Sequence, residues 1–121
     1  MFDETLKTIV ARTQGAVGAV IMGLDGISVA RADAPDGLEI DIDVVAAEYT
    51  ALLRKSVRTT EDAALGSLRE LVVTSDRLAF LITPITSEYF LLLVLEPRYG
   101  LGRARFELRK AQLILEEEFS L

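Results

Sequence analysis

Three segments with the composition of β-strands follow one another almost without pause: Leu68–Ser75, Arg77–Pro84 and Tyr89–Leu95, parted only by Ser75-Asp76 and by Thr86-Ser87-Glu88. Connections this short only turn a chain back on itself, so the three segments must pair as antiparallel neighbours. The last of them, Tyr89-Phe90-Leu91-Leu92-Leu93-Val94-Leu95, is apolar on both faces, which places it centrally in a sheet with cover above and below.

Two further strands precede them. Ala16 to Met22 is apolar or Gly throughout, Leu24-Asp25-Gly26 interrupts, and Ile27-Ser28-Val29-Ala30-Arg31 alternates. An Asp-Gly pair between such runs signals a hairpin, because the turn needs positive φ and Gly accepts it without a Cβ penalty. Helical spacing marks three more segments. Phe2, Leu6, Ile9 and Val10 lie on one stripe of a helix over about 3–13 that Asp3 caps. Ile42, Val45, Ala46, Tyr49, Leu53 and Val57 form the main apolar face of a helix from about Asp41, its cap, to Arg58. Ala104, Leu108, Ala111, Leu115 and Phe119 share a stripe of a long helix from about Gly102. Asp33 to Asp41, with Pro35 and Asp36-Gly37, has no periodicity and reads as a loop, and Thr59–Gly66 reads as a polar connection.

The order is αββαβββα, an α+β fold in a single domain over residues 1–121 with no internal repeat. Five strands make a sheet roughly 20 Å wide, and one helix covers about 10 Å of it. If the first and last helices share a face, the middle helix leaves apolar sheet uncovered on the other. That helix also carries a second stripe of small apolar residues, Val44, Ala47 and Ala51, running into Arg54, Lys55 and Arg58. The expectation is a homodimer with two middle helices side by side; a solvated Ala-rich face is the alternative.

Thirteen basic against nineteen acidic residues leave a net charge of −6, which argues against a nucleic-acid or anionic-membrane partner. With no Cys and no His, disulfides, thiolate metal sites, thiol catalysis and imidazole bases are excluded. No apolar run is long enough to span a bilayer, and the acidic Met1-Phe2-Asp3-Glu4 start is unlike a signal peptide, so a cytoplasmic protein without membrane insertion is expected. Gly100-x-Gly102 opens a helix but lacks the lysine and spacing of a phosphate loop. Asp33, Asp36, Glu39, Asp41 and Asp43 lack the spacing of a calcium loop and read as solvation and capping. No cofactor, metal or catalytic residue is expected.

Four stretches carry a resemblance: Ala16-Val17-Gly18-Ala19-Val20-Ile21-Met22 followed by Asp25-Gly26-Ile27, Asp76-Arg77-Leu78-Ala79-Phe80, Tyr89-Phe90-Leu91-Leu92, and Gly102-Arg103-Ala104-Arg105-Phe106-Glu107-Leu108-Arg109-Lys110-Ala111. Together they resemble the Roadblock/dynein light chain family over nearly the whole chain. One departure is Gly100-Leu101-Gly102, where the family commonly has Asn-Leu-Gly. The resemblance implies a five-stranded antiparallel sheet between helices, dimerised through the third strand and middle helix into a ten-stranded sheet. It also implies a partner: family members accompany motors and nucleotide switches, among them MglB-type activators of the Ras-like small GTPase MglA. On that footing the dimer interface is expected at Val44, Ala47 and Ala51 with Arg69, Glu70, Leu71, Val72 and Val73 as the dimer strand, and partner contacts at Glu48, Arg54, Lys55 and Arg58. An inserted arginine is a recurrent device of GTPase regulators, and Arg54, Arg58, Arg98, Arg103 and Arg105 are the candidates by location, each also explained by solvation or a helix-end ion pair. The expected role is a regulator, activating or co-activating, with no active site of its own. A non-catalytic scaffold for a GTPase or motor is the alternative, and a small-ligand sensor a third reading that a cavity between sheet and helix would favour.

Overall fold

A computed structural model describes residues 2–35 and 40–120. The elements run α1 (Phe2–Arg12), β1 (Ala16–Gly23), β2 (Ser28–Asp33), α2 (Ile42–Asp62), β3 (Leu71–Thr74), β4 (Ala79–Pro84), β5 (Tyr89–Leu95) and α3 (Gly102–Phe119), with a 3-10 turn at Pro97–Tyr99 before the last helix. The strands form one antiparallel sheet in the order β2-β1-β5-β4-β3. β5 is the central strand, as its two-sided apolar character requires, and pairs with β1 and β4.

Alternation along the strands sends side chains to two separate cores. On one face Ala19, Ile21, Leu81, Leu91 and Leu93 pack against Leu6 and Ile9 of α1 and Leu108 and Leu115 of α3. Phe119 stacks on Phe2 and on Tyr89, each ring pair 4.7 Å apart, which ties both ends of the chain to the start of the central strand. On the other face Val20, Met22, Phe80, Ile82, Leu92 and Val94 pack against α2 through Ile42, Ala46 and Leu53. The outer helices do share a face, and among the described residues the middle helix is the one helix on the other. Its cover runs out toward both edges: Val29 on β2 is exposed, and Leu71 and Val73 on β3 are only half buried.

Asp41 caps α2, its Oδ1 accepting from the Val44 N–H at 3.3 Å. Arg31 on β2 reinforces that start, 2.9 Å from Asp33 and 3.4 Å from Asp43. Asp33 chiefly, with Asp43, raises the guanidinium above its ordinary pKa, because both carboxylates favour its charged form.

Several boundaries differ from the sequence reading. α2 continues to Asp62 instead of ending near Arg58, because the Ser56 and Thr60 hydroxyls donate to the Leu52 and Ser56 carbonyls, each at 2.8 Å, and satisfy themselves inside the helix. β3 begins at Leu71 rather than Leu68: Arg69 and Glu70 are exposed ahead of the strand, with Glu70 held 2.9 Å from Arg105. β4 begins at Ala79 because the Ser75 N–H donates to the Leu78 carbonyl at 2.8 Å and closes a tight turn over Asp76-Arg77. Asp33, placed in a loop by composition, ends β2; Asp36 and Glu39 lie outside the described residues.

Candidate partner interface

One face of α2 and one edge of the sheet are left open side by side. In the β3–β4 ladder Leu71, Val72, Val73 and Thr74 oppose Ile82, Leu81, Phe80 and Ala79. Hydrogen-bonded and non-bonded pairs alternate in an antiparallel ladder. Counting from the bonded Ser75–Leu78 pair, Val73 and Leu71 bond to β4, whereas Val72 and Thr74 aim their N–H and C=O groups at the open edge. Side chains alternate with them: Leu71 and Val73 belong to the α2 core and Val72 to the opposite one. Among the described residues no strand covers this edge.

Above the edge runs α2. At about 100° per residue its outward crest is Val44, Ala51, Lys55 and Arg58, with Glu48 beside it. All five are exposed, Val44 to 57%. Ala47 and Arg54 turn to the β1–β2 side, where the Arg54 guanidinium donates to the Leu24 carbonyl. Val45, Tyr49 and Leu52 turn the opposite way, toward β3, and Tyr49 rests on Phe80. The small-residue stripe of the sequence is therefore split: Val44 and Ala51 stand on the crest, while Ala47 looks away from the strand edge. In the sequence the spacing of Val45 and Tyr49 merges with that of the core stripe, which conceals this shoulder. Leu52, exposed and apolar, is the signal that marks it.

Most of the candidate arginines are engaged within the chain. Arg98 pairs with Glu96 at 2.9 Å and lies over the Tyr99 ring, Arg103 pairs with Glu107 at 3.0 Å and donates to the Arg12 carbonyl, and Arg105 pairs with Glu70. Arg58 and Lys55, on the crest, have no ion-pair partner among the described residues. Gly100, at φ 81°, ends the 3-10 turn, and α3 starts at Gly102 with no side-chain cap from Leu101.

An open groove of about 460 Å³ lies at the end of the sheet, between the last turns of α2, the segment before β3 and the β4–β5 hairpin. Leu53, Val57, Leu68, Tyr89 and Phe90 line it, with Glu61, Arg69 and Glu116 among its polar residues. No helix among the described residues is long and apolar enough to cross a membrane.

The Roadblock/LC7 domain model matches residues 2–96. Among solved structures, MglC from Myxococcus xanthus is 28% identical and superposes with a TM-score of 0.70 over 95% of this chain and 96% of that one. The gliding protein MglB from Thermus thermophilus is 18% identical, with a TM-score of 0.84 over 94% of this chain and 84% of its own. A Roadblock/LC7 domain from Streptomyces avermitilis is also 18% identical, with a TM-score of 0.85 over 98% of both chains. No curated protein matches the chain in sequence.

Proposed function

Since this chain belongs to the Roadblock/LC7 family, we propose that it is a homodimeric cytoplasmic regulator of a Ras-like small GTPase of the MglA type, acting on its partner's nucleotide cycle without an active site of its own. The observation that carries this reading is the open β3 edge lying beside an exposed, charged α2 crest. Edge strands left bare are templates for pairing with another chain. Two β3 strands joined antiparallel through Val72 and Thr74 would make a ten-stranded sheet and bring the Val45, Tyr49 and Leu52 shoulders of two copies together, with Leu71 and Val73 below them and Val44 and Ala51 alongside.

Such a dimer presents Glu48, Lys55 and Arg58 of both copies on one surface, the place for a partner's switch loops. A regulator built this way works by holding those loops, which needs complementary charge more than a reactive group. Arg58 is the arginine whose position suits insertion into the partner, because Arg54, Arg98, Arg103 and Arg105 are occupied inside the chain.

Single-turnover GTP hydrolysis by the MglA-type GTPase of the same cell tests this. Acceleration on adding the protein, lost in Arg58→Ala while the dimer persists, is the expected result. Tight binding with an unchanged hydrolysis rate would replace the activator by a scaffold, and absence of binding in either nucleotide state would remove the GTPase from the account.

A further inference from the structure

Helix α3 carries its charges in the order least favourable to itself. Arg103, Arg105, Arg109 and Lys110 fill its first half and Glu116, Glu117 and Glu118 its last turns, with no acidic residue in the first turn and no basic residue in the last. The helix dipole favours the reverse at both ends. Part of this charge is matched inside the chain: Arg103 and Lys110 flank Glu107, and Arg105 meets Glu70. Arg109, Glu116 and Glu117 pair with no opposite charge among the described residues.

Down the outer face, at steps of three and four, run Phe106, Arg109, Leu113 and Glu117, so that all four share one line. Phe106 is 54% exposed and Leu113 57%. The Phe106 ring is held by Arg103 and Lys110, whose cationic groups lie 5.5 and 4.9 Å from its centre. This line faces away from the sheet on the side opposite α2, where neither the β3 edge nor the α2 crest reaches it.

We propose that the outer face of α3 is a second contact between copies of this chain, in which two α3 helices lie antiparallel with Leu113 on the two-fold axis. In that register Arg109 of each copy meets Glu117 of the other, and Phe106 closes each end over the last turn near Ser120. The positive half of one helix covers the negative half of its twin, and the two dipoles oppose. Parallel packing would set like charge on like, so the pattern selects both the occupant and its direction. One helix pair buries less than the area of a stable complex, so the contact is weak alone and gains from copies already joined at another surface. Two different two-fold contacts on one chain build closed dimers of dimers when their axes cross at right angles. The dimer of dimers rests on the β3 dimer proposed above, whereas the α3 contact itself lies on the opposite side of the sheet and does not rest on the GTPase reading.

Sedimentation of the full chain from micromolar to near-millimolar concentration provides the test. The expected result is a doubling of mass with concentration at low salt that recedes at high salt. Arg109→Glu and Glu117→Arg should each move the doubling to at least about tenfold higher concentration, and the double variant Arg109→Glu/Glu117→Arg should restore it, because the pair is only exchanged across the axis. Glu117→Arg also corrects the helix-end charge, so in dilute solution it should melt no lower than the parent while associating less. A structural defect would lower both together. The proposal is overturned by a mass that stays constant across the range, by a doubling indifferent to Glu117→Arg, or by a double variant no better than the single ones.

Discussion

The ring of Tyr49 lies 5.0 Å from that of Phe80 and is tilted 51° to it, so α2 is anchored on β4, one strand in from the open edge of the sheet. Tyr49→Ala removes the aromatic pair together with the support for the shoulder, and should cost about 2–4 kcal/mol of stability. Tyr49→Phe keeps the ring and should change stability by less than about 1 kcal/mol. Urea unfolding at one fixed protein concentration measures both, since association would otherwise shift the midpoint.

The two faces of β3's backbone make a sharper experiment. Val72→Pro deletes an N–H that points outward, at a position where an edge strand accepts proline. The variant should keep its far-ultraviolet circular dichroism while losing the dimer joined through β3. Val73→Pro removes instead an N–H that pairs with Phe80, and should lower the stability of the single chain by about 1–3 kcal/mol. If Val72→Pro sediments as the parent does, the β3 edge is not the dimer seam.

Gly15 joins the end of α1 to the end of the central strand: its carbonyl accepts from the Glu96 N–H at 2.9 Å, and its φ is 85°. A Cβ at this position would run into the ring of Tyr99. Gly15→Ala should therefore destabilise by about 1–3 kcal/mol, from the left-handed backbone and the clash together. Adding Tyr99→Ala relieves the second part only, so the double variant should recover part of the loss in a double-mutant cycle read by thermal melting.

Glu107 is 2% exposed, with Arg103 at 3.0 Å and Lys110 at 3.4 Å from its carboxylate. Glu107→Gln removes the charge that those two half-exposed cations neutralise and should cost about 1–3 kcal/mol. Glu107→Leu, which fills the same volume without a group needing a partner, should stand closer to the parent than Glu107→Ala does. Chemical denaturation of the three variants ranks them.

Much of the architecture was legible because it rests on local periodicity. The apolar run Tyr89–Leu95 marks the central strand to the residue, Asp41 marks the start of α2, and Ala104, Leu108, Ala111 and Leu115 mark the buried side of α3. Features that depend on hydrogen bonds within a polar stretch were not legible. Ser56 and Thr60 prolong α2 by bonding to their own helix, and Thr50 enters the core because its hydroxyl donates to the Ala46 carbonyl at 2.8 Å, leaving its methyl for packing. Glu107 sits on the buried side of its helix, where the spacing places an apolar residue; only Arg103 and Lys110, four before and three after, hint that its charge is matched.

The split of the α2 surface was also hidden. A helical wheel gives an inside and an outside but not which flank meets which sheet edge, and that handedness sends Ala47 and Arg54 to one side and Leu52 to the other. Arg54 shows its side only through the Leu24 carbonyl, thirty positions earlier in the chain. What the candidate surface offers a partner is thus set by sheet order, which follows from the pairing of remote strands.

That remote pairing also governs how the molecule is made. β1 is synthesised early and β5 late, yet they are neighbours at the middle of the sheet. While the ribosome is still translating, the β1–β2 hairpin waits with its most apolar flank bare, and the helices laid on either side have nothing to close upon. The sheet therefore cannot close until β5 has been made, and nascent chains stopped before Tyr89 should be clients for holding chaperones or clump.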